Sequence, residues 1–488
     1  MSTRIAYGES PLSFLSFWPR VREFAVPASV IETATTRRLA GDWAGACAAA
    51  GFDVDLRLRS VARDHGRDIA GQLRDDLRNL APDLLRWHMP RIAPDGLLRP
   101  GLTLTLATYG GGVRGPGAGR RRPLHLVVRT PPAWADAGQR ISLALWGGAG
   151  GRGGPACGGG AGSYPHPRPN RRFRLDLHRH LWDARRAAEL RVRAGGPARA
   201  DPDLPGGVPY GRRCAVDRWA EEARILLRAE GRSGGAVLVR LGGRHRLVLE
   251  LPVEDRGGPG GEAVPRIAES GSGRSSALPL LPDAATWVLP DLELLHAGLI
   301  DAERLHPLVA SALVREHAVS PQPSPSPSPG RTGQPRLVEC RGARHRIGLV
   351  DGVLVPLDHD PAEIRREELL AALTGTPLPC LQVIDEAHRR PECLPDVRER
   401  LDHGDFAGAL AVVEGLLGPD AVLRDGALRE ELEEAARRRI TYGLFRAGLA
   451  GPGPGPESGR GPGPGRVRYD ERGRPRDHRA HPRHATFP

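Results

Sequence analysis

The sequence predicts an α+β protein, because helical and strand patterns occupy successive parts of the 488-residue chain. Over residues 1–98, apolar side chains recur at three- and four-residue spacing, which is typical of amphipathic helices. Over residues 101–253 they alternate with polar side chains, which is typical of half-buried strands. Strand patterns and then helical patterns return over residues 336–449.

A chain of this length is expected to hold two or three domains of about 150 residues each. We expect a helical N-terminal domain, a central antiparallel β sandwich or open barrel with disordered insertions, and a small C-terminal domain in which strands precede helices. The expected segments are 1–98 (helical), 101–253 (basic β domain with Gly/Arg-rich loops), 254–276 (disordered linker), 277–318 (helical), 319–335 (Ser/Pro linker), 336–449 (β-hairpin plus helices) and 450–488 (disordered basic tail).

Two long helices are the clearest helical elements. In the first, Ile69, Leu73 and Leu77 follow one another at four-residue spacing, so that they share one face. The second is predicted from Ala427 onward, and its acidic residues precede its arginines. That order of charges complements the dipole of a helix.

Seven short strands are expected in the central domain, and most lack the intervening helices of βαβ units, so an antiparallel arrangement is favoured. They cover 102–109, 124–130, 141–146, 173–180, 189–194, 236–241 and 244–251. The Gly242-Gly243 pair is expected to close the last two strands as a tight hairpin. Asp351-Gly352 predicts a similar turn in the C-terminal domain.

One sequence pattern occurs twice, near opposite ends of the chain. LAGDWAGACAAA at 39–50 and DHGDFAGALAVV at 402–413 share Gly-Asp-aromatic-Ala-Gly-Ala. The second copy, over 404–421, resembles the first helix of a tetratricopeptide-type helical hairpin. The regular repeat of tetratricopeptide arrays is absent, so the resemblance implies two isolated helical hairpins and no family is assigned.

All 70 basic residues are arginine. Without lysine, the chain lacks the residue required by P-loop nucleotide sites, Schiff-base enzymes and protein-kinase ATP sites. The formal net charge is +12, and the excess is concentrated at 101–255, where 26 arginines face 13 acidic residues. A localised basic surface favours an anionic partner. A coding bias that places arginine at ordinary solvent positions is the alternative explanation.

The cysteines predict free thiols in a reducing compartment. All six are scattered without a C-x-x-C pair, which disfavours a disulfide framework or a zinc site. No secretory signal pattern begins the sequence, and no apolar run approaches the roughly 18–20 residues that span a bilayer. A cytoplasmic protein without membrane partners is expected.

An arginine-rich face of the central sheet is the predicted binding site. Guanidinium groups pair bidentately with phosphates, so RNA or DNA is the expected anionic partner. The predicted contact residues are Arg172, Arg174, Arg191, Arg193, Arg240, Arg244 and Arg246. The expected function is therefore a non-enzymatic binding or scaffold protein, with protein partners at its helical ends.

A metal-dependent hydrolase is the alternative function. Asp176, His178 and His180 alternate along the predicted strand 173–180, so their side chains would share a face. Carboxylate and imidazole groups together suit divalent zinc, iron or manganese. No other cofactor is expected. His359, between Asp358 and Asp360, suggests a metal more weakly, because Asp360 is expected to cap a helix.

Overall fold

The computed structural model describes most of the chain and divides it into two compact units. Unit 1 comprises Met1–Val319 and Leu444–Pro488, and unit 2 comprises Ser320–Gly443. The described residues are 15–110, 123–147, 164, 166–194, 212–242, 245–252, 265–269, 277–314, 336–375, 377–389, 391, 393–418 and 422–450. Helices and strands are mixed, which confirms the α+β class.

Unit 1 begins with the predicted helices. They are α1 (Trp18–Arg20), which continues into a π-helical turn (Val21–Ala25), α2 (Ala28–Leu39), α3 (Trp43–Ala49), α4 (Leu58–His65), α5 (Arg67–Asn79) and α6 (Pro82–His88). In α5, Leu73 and Leu77 are fully buried, as their spacing predicted. Three short strands accompany the helices: β1 (Phe52–Val54), β2 (Arg91–Ile92) and β3 (Leu97–Leu98).

The first three predicted strands of the central region are confirmed. They are β4 (Thr103–Tyr109), β5 (Leu124–Arg129) and β6 (Ile141–Trp146), which pair antiparallel in the order β6-β5-β4. The helical region adds β1 parallel to β6. One hydrophobic core of 44 buried residues contains side chains from both regions. The core therefore crosses the domain boundary expected near residue 100.

The two strands predicted over 173–180 and 189–194 are wrong. The first segment forms 3-10 turns at Leu175–Leu177 and Arg179–Leu181; the second forms a 3-10 turn and then α7 (Leu190–Arg193). In the first segment, the indole Nε1 of Trp182 donates to the carbonyl of Leu175 at 3.0 Å. The indole thus satisfies a backbone carbonyl that would bond to a neighbouring strand if this segment were part of a sheet.

A second sheet of unit 1 packs in a separate core. Its strands are β7 (Gly235–Arg240), β8 (Arg246–Leu251) and β9 (Arg266–Glu269). The helix α8 (Val216–Ala229) precedes them, and α9 (Asp283–Thr286), α10 (Pro290–His296) and α11 (Pro307–Leu313) follow. The predicted hairpin is confirmed as an antiparallel pair in which Arg240 lies opposite Arg246. Leu241 still bonds to His245, so the connection is longer than the predicted two-glycine turn.

Two segments expected to be disordered contain ordered residues. In the segment expected as a linker over 254–276, β9 pairs antiparallel with β8. In the Gly-rich insertion, the Tyr164 side chain is buried against Phe445. The other predicted linker and tail residues, at 254–264, 270–276, 319–335 and 451–488, lie outside the described residues.

Unit 2 has the predicted order of strands before helices. Its elements are β10 (Arg336–Cys340), β11 (Ala343–Val350), β12 (Val353–Pro356), α12 (Pro361–Thr374), α13 (Pro379–Arg389), α14 (Leu394–His403), α15 (Phe406–Leu417) and α16 (Ala427–Arg446), whose last residues belong to unit 1. The Asp351-Gly352 turn is confirmed: both residues have positive φ, 52° and 77°, and Val350 pairs with Val353. No helix among the described residues is long and apolar enough to span a membrane.

The repeated pattern forms the same local structure in both units. Asp42 caps α3 by accepting from the Gly45 amide at 2.8 Å, and Asp405 caps α15 by accepting from the Gly408 amide at 2.9 Å. An arginine of the preceding helix pairs with each cap: Arg37 with Asp42 and Arg400 with Asp405. A Cβ at Gly408 would lie 2.0 Å from the Asp405 carboxylate. The small residue in the motif therefore makes room for the cap.

We predict that Gly408→Ala destabilises unit 2 by about 1 kcal/mol, the usual cost of losing an N-cap, although alanine favours helix. Gly415→Ala is the matched control, since it is exposed on the same helix with open space around it. It is expected to stabilise by up to about 1 kcal/mol. Denaturant unfolding of the full chain measures both changes, and stabilisation by both substitutions would contradict the capping role.

Candidate functional site

The arginines predicted to share one sheet face lie on several different elements. Three of them form hydrogen bonds or ion pairs with other residues of unit 1. Arg174 forms a two-pronged pair with Asp176, with N–O distances of 2.9 and 2.8 Å. Arg191 donates to the carbonyl of Ala312 at 3.1 Å. Arg193 donates to Glu222 at 3.0 Å. Asp176 and Glu222 neutralise Arg174 and Arg193, which leaves these two arginines little charge for a ligand, whereas the exposed Arg191 bonds to carbonyl groups and keeps its charge.

Three other predicted arginines lie in a different setting. Arg172 precedes the 3-10 turns, and its Nε donates to Asp283 at 2.6 Å. Arg240 ends β7, and the exposed Arg246 lies opposite it on β8. Arg244 lies outside the described residues. The structure thus brings together only part of the predicted set.

Two arginines that sequence reasoning missed, Arg99 and Arg212, complete the group. Arg99 follows β3, Arg212 precedes α8, and both lie close enough to Arg172 to feel its charge. We call Arg99, Arg172, Arg212 and Arg240 the arginine cluster. Asp283, the first residue of α9, lies among them.

Backbone hydrogen bonds to the α9 region hold the segments of the cluster in place. The amide of Asp283 donates to the carbonyl of Arg172 at 3.0 Å. The amide of Val288 donates to the carbonyl of Arg213, also at 3.0 Å. The chain before Arg172 and the chain before α8 therefore meet at α9, which orients their arginine side chains toward one another.

Like charge accumulates in the arginine cluster. Burial lowers the pKa of Arg99 to about 10, assisted by Arg172 and opposed by Asp283. Burial also lowers the pKa of Arg212 to about 10, where Asp283 opposes the effect and Arg172 adds to it. Both groups remain cationic at neutral pH. With Glu293 as a further acid near Arg212, four cations face two carboxylates, so the cluster keeps a positive charge.

A cavity of about 150 Å³ opens beside the cluster. It is lined by Arg91, Arg99, Arg172, Arg174 and Arg212 together with Asp283. A space of this volume accommodates a group about the size of one aromatic ring. Trp18, Phe173 and Trp287 supply aromatic walls, and the guanidinium carbon of Arg212 lies 4.2 Å from the centre of the Trp287 ring.

Arg91 and Arg99 line the cavity with guanidinium groups that are only partly satisfied within the protein. The other nitrogens of Arg91 donate to the carbonyls of Gly96 and Arg86, at 2.8 and 2.7 Å. The Nε atoms of Arg91 and Arg99 have no hydrogen-bond partner within the described part of the chain, and they are buried away from the open space. The net positive charge of the arginine cluster is therefore what makes the cavity suited to an anion.

The predicted metal residues Asp176, His178 and His180 do not converge. Asp176 is paired with Arg174, whereas His178 is buried with its Nε2 3.2 Å from a Glu222 oxygen. The His180 Nδ1 lies 3.3 Å from Arg193 instead. Burial lowers the pKa of His180 well below its ordinary value, with Arg193 adding to the effect. Since the segment is not a strand, the alternation that predicted a shared face is lost.

Glu222 is the acid around which this buried polar group is arranged. Burial by itself would raise the pKa of Glu222, but His178 and Arg193 lower it well below its usual range. The carboxylate is therefore ionised and compensated inside unit 1. His178 and His180 thus belong to a structural network. Among the described residues, the one group with metal-ligand geometry lies in unit 2.

Comparisons with protein-family models, with curated proteins and with solved structures found no match to this chain. The function has to follow from the cavity itself. Sequence reasoning missed Arg99, Arg212, Asp283 and Trp287 because they are far apart along the chain. The one local signal was Pro282-Asp283, a helix-start pattern that carries no information about a ligand.

We predict that Asp283→Asn destabilises unit 1 by about 2 kcal/mol, because it leaves the partly buried cluster without its nearest carboxylate. Inorganic phosphate should restore part of the loss, since an anion that binds only the folded state stabilises it. Glu221→Gln is the control: it removes an exposed acid paired with Arg224 and should cost less than about 1 kcal/mol without phosphate rescue. Thermal unfolding with and without phosphate measures both. Equal phosphate effects on the two variants would contradict a specific anion site.

Proposed function

We propose that unit 1 is a non-enzymatic binding module that takes a phosphate-bearing ligand into the cavity beside the arginine cluster. The observation that carries this proposal is the excess of guanidinium groups over carboxylates around Asp283. The basic character of residues 101–255 supports the proposal. The proposed contact is a cavity, whereas the sequence had predicted an open sheet face.

Phosphate fits the cluster better than a single carboxylate does. A phosphate monoester carries close to two negative charges at neutral pH and three acceptor oxygens, which matches an excess of two cations. Guanidinium groups pair with such oxygens in a planar, two-pronged geometry. Arg99 contributes one of the cations that line the cavity.

The aromatic walls favour a ligand with a flat ring beside its phosphate. Phe173 and Trp287 line the cavity together with the arginines. Nucleobases stack on aromatic rings and on guanidinium planes. A single nucleotide unit, free or at the end of an RNA or DNA strand, therefore matches the cavity in charge and in its aromatic walls, with one part of the nucleotide inside the cavity and the remainder outside it. This keeps the expected nucleic-acid partner but narrows its contact to one nucleotide.

The hydrolase alternative has less support. Its candidate ligands Asp176, His178 and His180 are engaged with arginine and glutamate partners. A hydrolytic metal needs about three ligands and an open coordination position. The nucleotide-binding proposal requires no rearrangement of these buried pairs.

The test is binding of a nucleoside monophosphate and of a short single-stranded RNA to the full chain by calorimetry. One or two phosphate contacts predict a shallow salt dependence for the RNA, with a log–log slope of about −0.7 to −1.4. An open basic face with six contacts would give a slope of about −4. A steep slope would favour binding on the open sheet face and would contradict binding in the cavity.

Matched arginine variants separate specific binding from general attraction. Arg99→Gln should weaken monophosphate binding at least tenfold, because it removes a cation from the cavity wall. Arg63→Gln is the control, since that side chain is 75% exposed and makes surface contacts with Asp64 and Ser60. The proposal fails if both changes have the same effect, or if neither ligand binds at about 50 mM salt, where electrostatic binding is strong.

Protein partners at the helical ends remain a second proposal. The observation that favours them is α12, which has no buried residue and exposes Leu369 and Leu373 at 68% and 86%. Exposed leucines on one helix are typical of a protein-contact surface.

A further inference from the structure

Two thiols and an imidazole from distant parts of unit 2 lie together. Cys340 ends β10, His359 precedes α12, and Cys380 is the second residue of α13. Their Sγ and ring nitrogen atoms all lie within 4.8 Å of one another. The Cys380 Sγ is 3.6 Å from the His359 Nε2. This geometry indicates a candidate metal site.

The distances are close to those of a tetrahedral zinc centre. Zinc bonds of about 2.3 Å to sulfur and about 2.0–2.1 Å to nitrogen place neighbouring sulfur and nitrogen ligands about 3.6 Å apart, and two sulfurs about 3.8 Å apart. The measured Cys380–His359 separation already has this value. The remaining pairs, at no more than 4.8 Å, need movements of about 1 Å or less.

A carboxylate stands behind His359. Its Nδ1 lies 3.8 Å from Glu363 one helical turn away, while its Nε2 faces Cys380. Glu363 is itself held by Arg341 at 2.6 Å. At 3.8 Å this contact is longer than a hydrogen bond, so Glu363 would have to move about 1 Å closer to fix the tautomer of His359, as carboxylates behind metal-bound histidines do. That tautomer would leave the Nε2 lone pair to bind a cation.

His345 lies beside the group without belonging to it, and it supplies a fourth ligand if its ring turns out of the stack with His359. Its ring stacks on His359 with centres 4.0 Å apart, and its buried Nδ1 has no hydrogen-bond partner among the residues described. In the β10–β11 ladder His345 lies opposite Val338, and Ala343 lies opposite Cys340. Because partners in an antiparallel ladder share a face and that face repeats every second residue, His345 and Cys340 project from the same side of the sheet.

The small core of this part of unit 2 provides an independent reason for a metal. Its buried cluster has four residues, Cys340, Leu378, Cys380 and Leu381, so half of it is thiol. The side chains of Leu337 and Val350 on the same sheet are about half exposed. Small structural units with little buried apolar surface commonly require a metal or disulfide for stability.

We propose that unit 2 binds one structural zinc ion through Cys340, His359 and Cys380, with His345 as the fourth ligand. Two thiolates neutralise the ion, and four protein ligands close the coordination sphere, as in sites that stabilise folds. The ion joins the end of β10 to α13 and to the residue before α12. It runs against the expectation that the scattered cysteines disfavour a zinc site. All its ligands lie in unit 2, so it does not depend on nucleotide binding by unit 1.

A reactive cysteine is a weaker interpretation of the same group. Burial, followed by the hydrogen bond with Cys340, raises the pKa of the Cys380 thiol. Nucleophilic cysteines have lowered pKa values and partial exposure. Cys340 and Cys380 are instead both buried, at 1% and 0% exposure.

Cobalt binding to the full chain tests the proposal. After chelation and reduction, one equivalent of Co²⁺ should saturate the protein and produce tetrahedral ligand-field bands and a thiolate charge-transfer band. Zn²⁺ should displace it stoichiometrically, because zinc prefers this ligand set. The double change Cys340→Ser and Cys380→Ser should abolish these bands. Cys393→Ser, a cysteine of the same unit outside the group, should leave them unchanged.

Further variants probe the remaining ligands. Glu363→Gln should retain one equivalent but weaken zinc binding about 10–100-fold, as loss of a supporting carboxylate does. His345→Ala should alter the cobalt spectrum, because water or a vacancy would replace a protein nitrogen. In the wild-type chain, zinc should slow alkylation of Cys340 and Cys380 and raise the melting temperature, which provides a test even where a cysteine variant fails to fold. The proposal is overturned if no equivalent binds, if the double cysteine variant binds like wild type, or if the reduced pair re-forms a disulfide that excludes the metal.

Discussion

The buried ion network around Asp76 determines how the middle of unit 1 is arranged. Asp76 on α5 pairs with Arg179 and Arg185, both of which also pair with the buried Asp183, and it accepts from the Tyr109 hydroxyl at 2.8 Å. A buried carboxylate without such partners would carry a large desolvation penalty, so these contacts are made together or not at all. They hold residues 179–185 against α5 and β4. The preceding residues then run past α9, and Arg172 reaches Asp283.

The hydrogen-bond partners of each arginine distinguish structural arginines from those available to a ligand. Arg86 is 4% exposed and donates to the carbonyls of Ala25 and Gln139 at 3.0 and 2.7 Å. Burial lowers its pKa to about 10. Its several fixed donors allow one guanidinium to satisfy carbonyls from different segments, which a lysine ammonium does less well. A compositional bias toward arginine is therefore used inside this fold as well as on its surface. The arginine cluster differs because four guanidinium groups share two carboxylates, those of Asp283 and Glu293.

Local patterns predicted local structure, and the sites depend on contacts that such patterns do not encode. Strands β4 to β6 were predictable because alternation continues over whole strands, and the Asp351-Gly352 turn because both residues tolerate positive φ. Alternation over 173–180 was misleading: burial of Leu175, Leu181 and Trp182 is equally compatible with successive 3-10 turns. Arg99 and Asp283, like Cys340 and Cys380, meet only through the tertiary fold. Sequence spacing therefore could not reveal either site.

The two proposed sites reflect different balances between packing and charge. Unit 1 has a core of 44 buried residues, enough apolar burial to tolerate several like charges held close together. Such a cluster is destabilising without its ligand, which makes binding of an anion favourable. Around β10 to α13, one cluster of described buried residues has four members, half of them thiols, and Ile347 and Ile384 are buried beside it. There the zinc ion would cross-link β10, α13 and the segment before α12. The anion site draws on the stability of its unit, whereas the zinc site would contribute to the stability of the other.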